Sequence, residues 1–462
     1  MLTVAHPLQQ TMAVGGRLYV MSKTSLSFFF LFAFGLFAFG LFAFAALMCA
    51  SAAGQSANYR VIHNFSGYPN DTAHTIGPVI FDKAGNMYGV GITGGAYDDG
   101  AAYELSPDGH GNWTETILYD FCQNFDGLSC LDGESPSAGL AIDASGNLYG
   151  TTGFGGTGNE LGSGGGIAFE LSPPGQRGGA WTETVLYNFC SDFANDTCLD
   201  GGPDVKSQMV LDRAGNLYGT TAEGGGGYGS FSGGGVAFEL SPGTGGWAET
   251  IIYNFCSVLQ NNLCLDGQGP IGGVTFDKSG NLFGTTSSTG NGNAETGGTL
   301  YQLRKSGSGW VFRLLATVPP AHQPSIPEAP VSFDSDGNLY STLSSVYGGV
   351  FQRNAKTGKV RVFAFDKGDG FEPLGGVYVD ANTGAIYGTN SDGGVGPGNV
   401  FEVGPNGGIT ILHSFCNGST GPNCTDGDQP WATLVPDASG NLYGTTQFGG
   451  TANLGIVFEI KP

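Results

Sequence analysis

Charge is what this chain has least of. Only 12% of its 462 residues are Asp, Glu, Lys or Arg, and 17 Lys and Arg face 39 Asp and Glu, a net charge of −22. No basic surface is available to displace counterions from phosphates, which excludes nucleic acid as a partner. The chain also lacks an apolar stripe of helical period, so it is not a helical bundle, and its 40% hydrophobic content excludes a charge-rich disordered tail. Gly is abundant at 83 residues, but without the three-residue period of collagen, and it points to many tight turns. Catalytic signatures are missing too. There is no HExxH, no G-x-S-x-G and no phosphate-cradling loop with a Lys, and His63, His74, His110, His322 and His413 are scattered. Composition therefore names no activity.

The first 53 residues contain Arg17 and Lys23, no acidic residue, and an apolar run from Leu26 to Met48 followed by Ala50, Ser51, Ala52 and Ala53. They are expected to be a secretory signal cleaved near Ala52 or Ala53, with Met21 as the more ordinary start. An uncleaved anchor is the competing reading, because about 23 apolar residues can span a bilayer. Cys49, preceded by Leu47 and Met48, makes a poor lipoprotein signal. Removing the two basic residues from the 17 leaves 15 against 39, a mature net charge of −24.

The other eight cysteines fall into four pairs with one spacing: Cys122 and Cys130, Cys190 and Cys198, Cys256 and Cys264, Cys416 and Cys424. A repeated C-x7-C unit makes four local bridges the simplest pairing, each stabilising by roughly 2 kcal/mol. Zinc is a weak rival, since no His or second Cys pair stands at ligand spacing in these loops.

One phrase recurs at seven places. It reads Gly146-Asn147-Leu148-Tyr149-Gly150-Thr151-Thr152 in its full form, and its Asn position falls at 86, 147, 216, 281, 338, 385 (an Ala) and 441. Spacings of 61, 69, 65, 57, 47 and 56 signal a repeat array. Each copy holds four short candidate strands separated by turn signals: an apolar strand ending in Asp, the phrase, a strand such as Val236 to Leu240, and an alternating strand such as Thr182 to Phe189. Four antiparallel strands per unit predict an all-β, seven-bladed β-propeller over residues 54–462; a parallel β-helix needs shorter coils. Residues 59–65 match the fourth strand of a unit and residues 456–460 the third. The N-terminal strand is therefore expected to pair with the C-terminal one and complete the last blade.

The phrase N-L-Y-G-T-T, followed by Gly-Gly and then V-F-E-L, resembles the GloVer (Gloeo_Verruco) tandem repeat over essentially all of residues 59–462. The resemblance implies an exported bacterial repeat protein and brings no activity with it. It also implies a C-terminal surface-sorting segment in many relatives, which is not expected after Pro462. Three copies depart from the pattern: Val90-Gly91 replaces Thr-Thr in the first, Ser341 replaces Gly in the fifth, and the sixth lacks the Asn.

The Asp before each turn (Asp82, Asp143, Asp212, Asp277, Asp334, Asp380, Asp437) reads as a hairpin-fixing acceptor rather than a catalytic acid. The phrase Tyr is expected to pack between blades, its hydroxyl free to bond a loop. In the cystine loops Asp132, Asp200, Asp266 and Asp426 each precede a Gly; they are the candidates for calcium, although one Asp per loop is far short of six ligands. No other metal, cofactor or catalytic residue is expected. The Gly-rich loops, such as 153–165 and 222–234, and the cystine loops emerge on one face, where binding is expected.

The function read from these features is a non-enzymatic, secreted, periplasmic or cell-surface monomer. It would bind a glycan, a surface polymer or another protein through that face, with no nucleic acid and no membrane after cleavage. The alternative is a polysaccharide lyase or glycoside hydrolase at the mouth of the central channel, since two carboxylates joined by the fold need no sequence spacing. Inner strands beginning Gly139-Leu140, Gly272-Gly273 and Leu374-Gly375 favour a bland ring there.

Overall fold

The repeat unit is organised by its first turn. Asp82 accepts the amides of Ala84 at 2.8 Å and Asn86 at 2.9 Å on one oxygen, and the Asn86 side chain at 2.9 Å on the other. Gly85 supplies the left-handed backbone at φ 89° that closes the hairpin. Asp143, Asp212, Asp277 and Asp437 repeat all three bonds, and Asp380 substitutes Asn382 and Thr383 as donors. These carboxylates are turn-fixing acceptors, as the sequence predicts.

The computed structural model describes residues 58–158, 164–176, 178–194, 197–202, 205, 208–227, 233–289, 297–307, 309–318, 326–345, 348–418 and 424–462. Ser56–Pro462 forms one compact unit. The leader, Cys49 and His322 lie outside the described residues. No helix among the described residues is long and apolar enough to cross a membrane.

Seven four-stranded antiparallel sheets make seven blades. Blade 1 comprises Ile80–Phe81, Met87–Gly91, Ala101–Pro107 and Trp113–Asp120 from inside to outside. Blades 2 to 7 begin at Ala141, Val210, Val274, Ser332, Tyr378 and Val435. In blade 7 the outer strand is Asn58–Asn64, antiparallel to Ile456–Lys461, with Val61 opposite Phe458. This strand swap gives every blade its fourth strand, so the ring closes as expected.

The phrase residues each have a packing task. Its Gly lies beneath the aromatic ring of the third strand: a Cβ at Gly150 would collide with Phe169, and one at Gly388 would stand 2.5 Å from Phe401. Its first Thr stitches neighbouring blades. Thr151 donates to the Val205 carbonyl at 3.0 Å, Thr285 to Ala329 at 3.0 Å, Thr342 to Gly375 at 3.0 Å, Thr389 to Ala432 at 3.2 Å and Thr445 to Gly77 at 3.1 Å; Thr220 donates to Pro270. Each acceptor lies where the chain enters the next blade. The blade 1 departure, Val90, has no hydroxyl to give and joins an apolar cluster with Leu140 instead. The second Thr, as in Thr152 and Thr446, accepts the first amide of the third strand and donates to its own loop.

At the opposite end the phrase Tyr bridges blades through rings. Tyr88, Tyr149, Tyr218 and Tyr443 lie 5.7–6.2 Å from Trp181, Trp247, Trp310 and Trp113 of the next blade, while their hydroxyls return to the turn Asp. Six outer strands carry one extra residue against the third strand, a bulge absent only from blade 5. That bulge re-aims the following side chain toward the loop at the blade's end.

The Thr stitch predicts that Thr285→Val, which keeps shape and removes one buried donor, costs about 1 kcal/mol. A urea melt checks this as a lower midpoint with unchanged slope. A midpoint equal to that of the unaltered protein would dismiss the stitch.

Candidate functional site: the loop face and central cavity

In an up-and-down blade the second-to-third loop and the connection to the next blade leave the same end, and here they pair with each other. Glu134 bridges Phe154, Gln268 bridges Ser288, Ile326 bridges Ser344, Phe371 bridges Asp392, Asp428 bridges Phe448, and Thr72–Ala73 pairs with Thr93–Gly94. The loops on this face are thus tied down by backbone bonds.

At its centre lies a cavity of about 650 Å³ lined by residues of all seven blades. Its wall combines apolar side chains such as Ile76, Val210 and Ile271 with glycine main chain. Gly77, Gly272 and Gly375 face the neighbouring blade so closely that a Cβ would come within 2.5–2.9 Å of the main chain of Ala138, Ala329 or Ala432. This is the bland ring that the inner-strand sequences indicate. Its polar side chains are few: Gln208 donates to the Leu140 carbonyl at 2.7 Å, and Thr433 accepts the Gly376 amide at 2.8 Å. The indole N–H of Trp431 and the hydroxyl of Ser137 are buried in the wall without a protein partner. Among the described lining residues Glu328 is the single carboxylate.

Around this cavity the cystine loops form a rim. All four expected bridges are present, Cys122–Cys130, Cys190–Cys198, Cys256–Cys264 and Cys416–Cys424, with Cα separations of 4.6–4.7 Å. Each first Cys adopts a positive φ between 57° and 66°. Nine of the thirteen strongly exposed large apolar side chains among the described residues sit on loops of this face, including Tyr97, Phe125, Leu128, Phe154, Val258 and Leu259. The other four lie on outer strands of blades 4 and 5.

The four calcium candidates are one per loop and far from one another along the ring, and each is occupied by donors. Asp132 accepts the Tyr119 hydroxyl at 2.7 Å and the amides of Gln123 and Asn124 at 3.0 and 3.1 Å. Asp266 takes Tyr253, the Ser257 hydroxyl and amide, and the Val258 amide. Asp200 takes Tyr187 and both Ser191 donors. Asp426 lies 3.2 Å from His413 and accepts the Cys416 amide at 3.0 Å. Burial alone would raise Asp426, but the His413 hydrogen bond and the amide outweigh it and hold it low.

The same positions build the seams between outer strands. Tyr187 of blade 2 lies 2.8 Å from Asp200 and 3.1 Å from Glu249 of blade 3. The Tyr187 hydroxyl lies within donating reach of both carboxylates, and its single proton can serve only one of them at a time. Burial, reinforced by the charge of Asp200, pushes Glu249 up to about 8, and burial with Asp132 pushes Glu183 of the preceding seam up to about 7. In the next seam Phe312 replaces Glu and stacks on Tyr253 at 4.3 Å. At the seam into blade 7, His413 stacks on Tyr59 at 3.7 Å.

Of the remaining histidines, His63 belongs to the closing seam, His74 bonds the Gln447 carbonyl at the cavity rim, and the amide of exposed His110 serves an outer hairpin turn. Trp431 and Ser137 are the site residues that sequence reasoning missed. Their only signal was position, each four residues before an inner strand.

Fold and cavity define a closed seven-bladed propeller with one tethered loop face. The chain belongs to the Gloeobacter/Verrucomicrobia repeat family, whose pattern matches residues 50–293 and 208–458. No curated protein matches it. Among solved structures it is similar to a candidate 6-phosphogluconolactonase of Bacteroides uniformis (13% identity, 79% of this chain and 88% of that one, TM-score 0.46). It is also similar to PorZ, a surface component of the type-IX secretion system of Porphyromonas gingivalis (15%, 85% and 47%, 0.46), and to a gluconolactonase of Xanthomonas campestris (12%, 88% and 96%, 0.38). At such values none carries an argument about this chain.

The raised Glu249 carboxyl sets a pH dependence. A carboxyl raised from 4.5 to about 8 binds a proton in the folded chain that the unfolded chain releases, so stability is full below about 4.5 and declines as pH rises through 8. Glu249→Gln, which keeps the donor, should remove roughly 1–2 kcal/mol of that decline. Melting temperatures from pH 5 to 9 check it; identical slopes in both proteins would refute a protonated Glu249.

Proposed function

We propose that this propeller is an exported, non-enzymatic binding protein whose loop face holds a glycan, with the end of the saccharide seated in the central cavity. The observation that carries the reading is that the indole N–H of Trp431 and the hydroxyl of Ser137, both unpartnered, stand in the otherwise apolar lining of one cavity. Concave sites of this kind combine apolar surface with a few polar groups that fix orientation. An indole offers a flat face for the C–H side of a sugar ring. The exposed apolar residues on the surrounding loops extend the contact surface beyond the cavity.

A hydrolase would need two carboxylates about 5–10 Å apart at the scissile bond, and the described lining supplies one, Glu328. Export is supported by four bridges that persist in an oxidising compartment. The cystine-loop Asp residues serve the loops, accepting amide and hydroxyl protons, and among the described residues none has the further carboxylates around it that would complete a calcium shell.

A glycan array and a reducing-end assay on residues 54–462 test the reading together. Binding without product is expected, and Trp431→Ala should weaken it at least about tenfold. Product formation would replace binding with catalysis, and an array with no hits would remove the glycan. Adding about 1 mM calcium should leave the melting temperature unchanged; a rise of several degrees would restore calcium to the cystine loops.

A further inference from the structure

The seam that closes the ring differs from those of blades 1 to 3 in one residue with large chemical consequences. The outer strand of blade 7 places His63 where blades 1, 2 and 3 have Tyr119, Tyr187 and Tyr253. Asp71 stands where the cystine loops have their Asp, and accepts the amide and hydroxyl of Ser66 at 2.6 and 2.8 Å, as Asp200 does from Ser191. Glu115, from the outer strand of blade 1, matches Glu249. Where the Tyr187 seam closes with a hydroxyl between two carboxylates, this one brings an imidazole against two carboxylates.

The contacts are long, and none forms an aligned hydrogen bond at His63 Nε2. His63 Nε2 lies 3.4 Å from Glu115 Oε2 and 3.7 Å from Asp71 Oδ2, and it has no hydrogen-bond partner. Asp71 Oδ1 and Glu115 Oε1 have none either, and Asp71 is 5% exposed. The hydroxyl of the wholly buried Tyr103, which feels the charge of both carboxylates, is also without a partner. One ligand atom from each of His63, Asp71 and Glu115 fits within a 4.8 Å span. Ligands about 2.0–2.2 Å from a tetrahedral zinc ion are separated by about 3.4 Å, so these separations are close to the edges of such a site.

We propose that His63, Asp71 and Glu115 bind a divalent zinc ion across the closing seam. The donor set of one imidazole and two carboxylates suits zinc better than calcium or magnesium, which need six or more oxygens. No Lys or Arg contacts either carboxylate among the described residues, so the ion takes the place of the proton that otherwise relieves the pair, and the 18% exposure of the His63 side chain leaves it a way in. It joins the strand that begins the propeller to the blade that follows it, so metal binding and ring closure are one equilibrium.

Zinc titration by calorimetry on residues 54–462, with cobalt as a spectroscopic stand-in, tests the site. One equivalent of zinc, intense visible bands of tetrahedral cobalt and a melting temperature raised by zinc but not by magnesium are expected. His63→Tyr restores the residue of the other seams and so preserves the fold; it and Asp71→Asn should each weaken zinc at least about tenfold and abolish the cobalt bands. His413→Ala, at a seam with no second carboxylate, should leave both unchanged. A folded protein that takes up no zinc, or zinc binding undiminished in both seam variants, overturns the proposal.

Discussion

The fold depends on one act of pairing: the strand Asn58–Asn64 zips beside Ile456–Lys461 and turns an open row of sheets into a ring. Without it, blade 7 would expose the edge of its third strand and blade 1 would lose the neighbour against which its outer strand packs. The pairing is reinforced where it is most exposed to fraying. Arg60 reaches Glu459 at 2.8 Å, and Glu459 in turn accepts the Tyr443 hydroxyl at 3.0 Å. Glu459 is buried, so losing Arg60 would leave its charge in the sheet with only the more distant Lys461, 3.9 Å away, as counter-ion.

Closure at the outside is matched by crowding at the inside. Seven blades meet around a narrow axis, and Gly stands in the wall where a larger group would collide with the next blade. The six Thr stitches bond at this depth, tying each phrase to the entrance of its neighbour. The same crowding leaves little room for side-chain chemistry in the wall, and Trp431 stands out for that reason. A ring built this way offers shape and a few donors, the equipment of a binding site.

The seams between outer strands show how a repeat keeps its geometry while changing its chemistry. One position is Tyr in three blades and His in two others, and its partner across the seam is Glu, Phe or Tyr. A shared proton, a ring stack and an imidazole with two carboxylates all span the same gap. The structural burden of these seams is the same; their response to pH or to a cation is not.

Much was legible in the chain itself. The seven phrases, the D-x-x-G-N turns and the four C-x7-C units are local signals, each written within about ten residues, so blade number, hairpin turns and bridges could be read from spacing alone. The match of the first strand to a fourth-type strand foretold closure for the same reason. The outer-strand bulges, the seams and the cavity were not legible, because they arise between residues of different blades. Trp431, Ser137, His63 and Glu115 carry no motif. Side chains far apart in sequence acquire a joint chemistry only when the ring brings them within a few ångströms, and local order along the chain does not encode that distance.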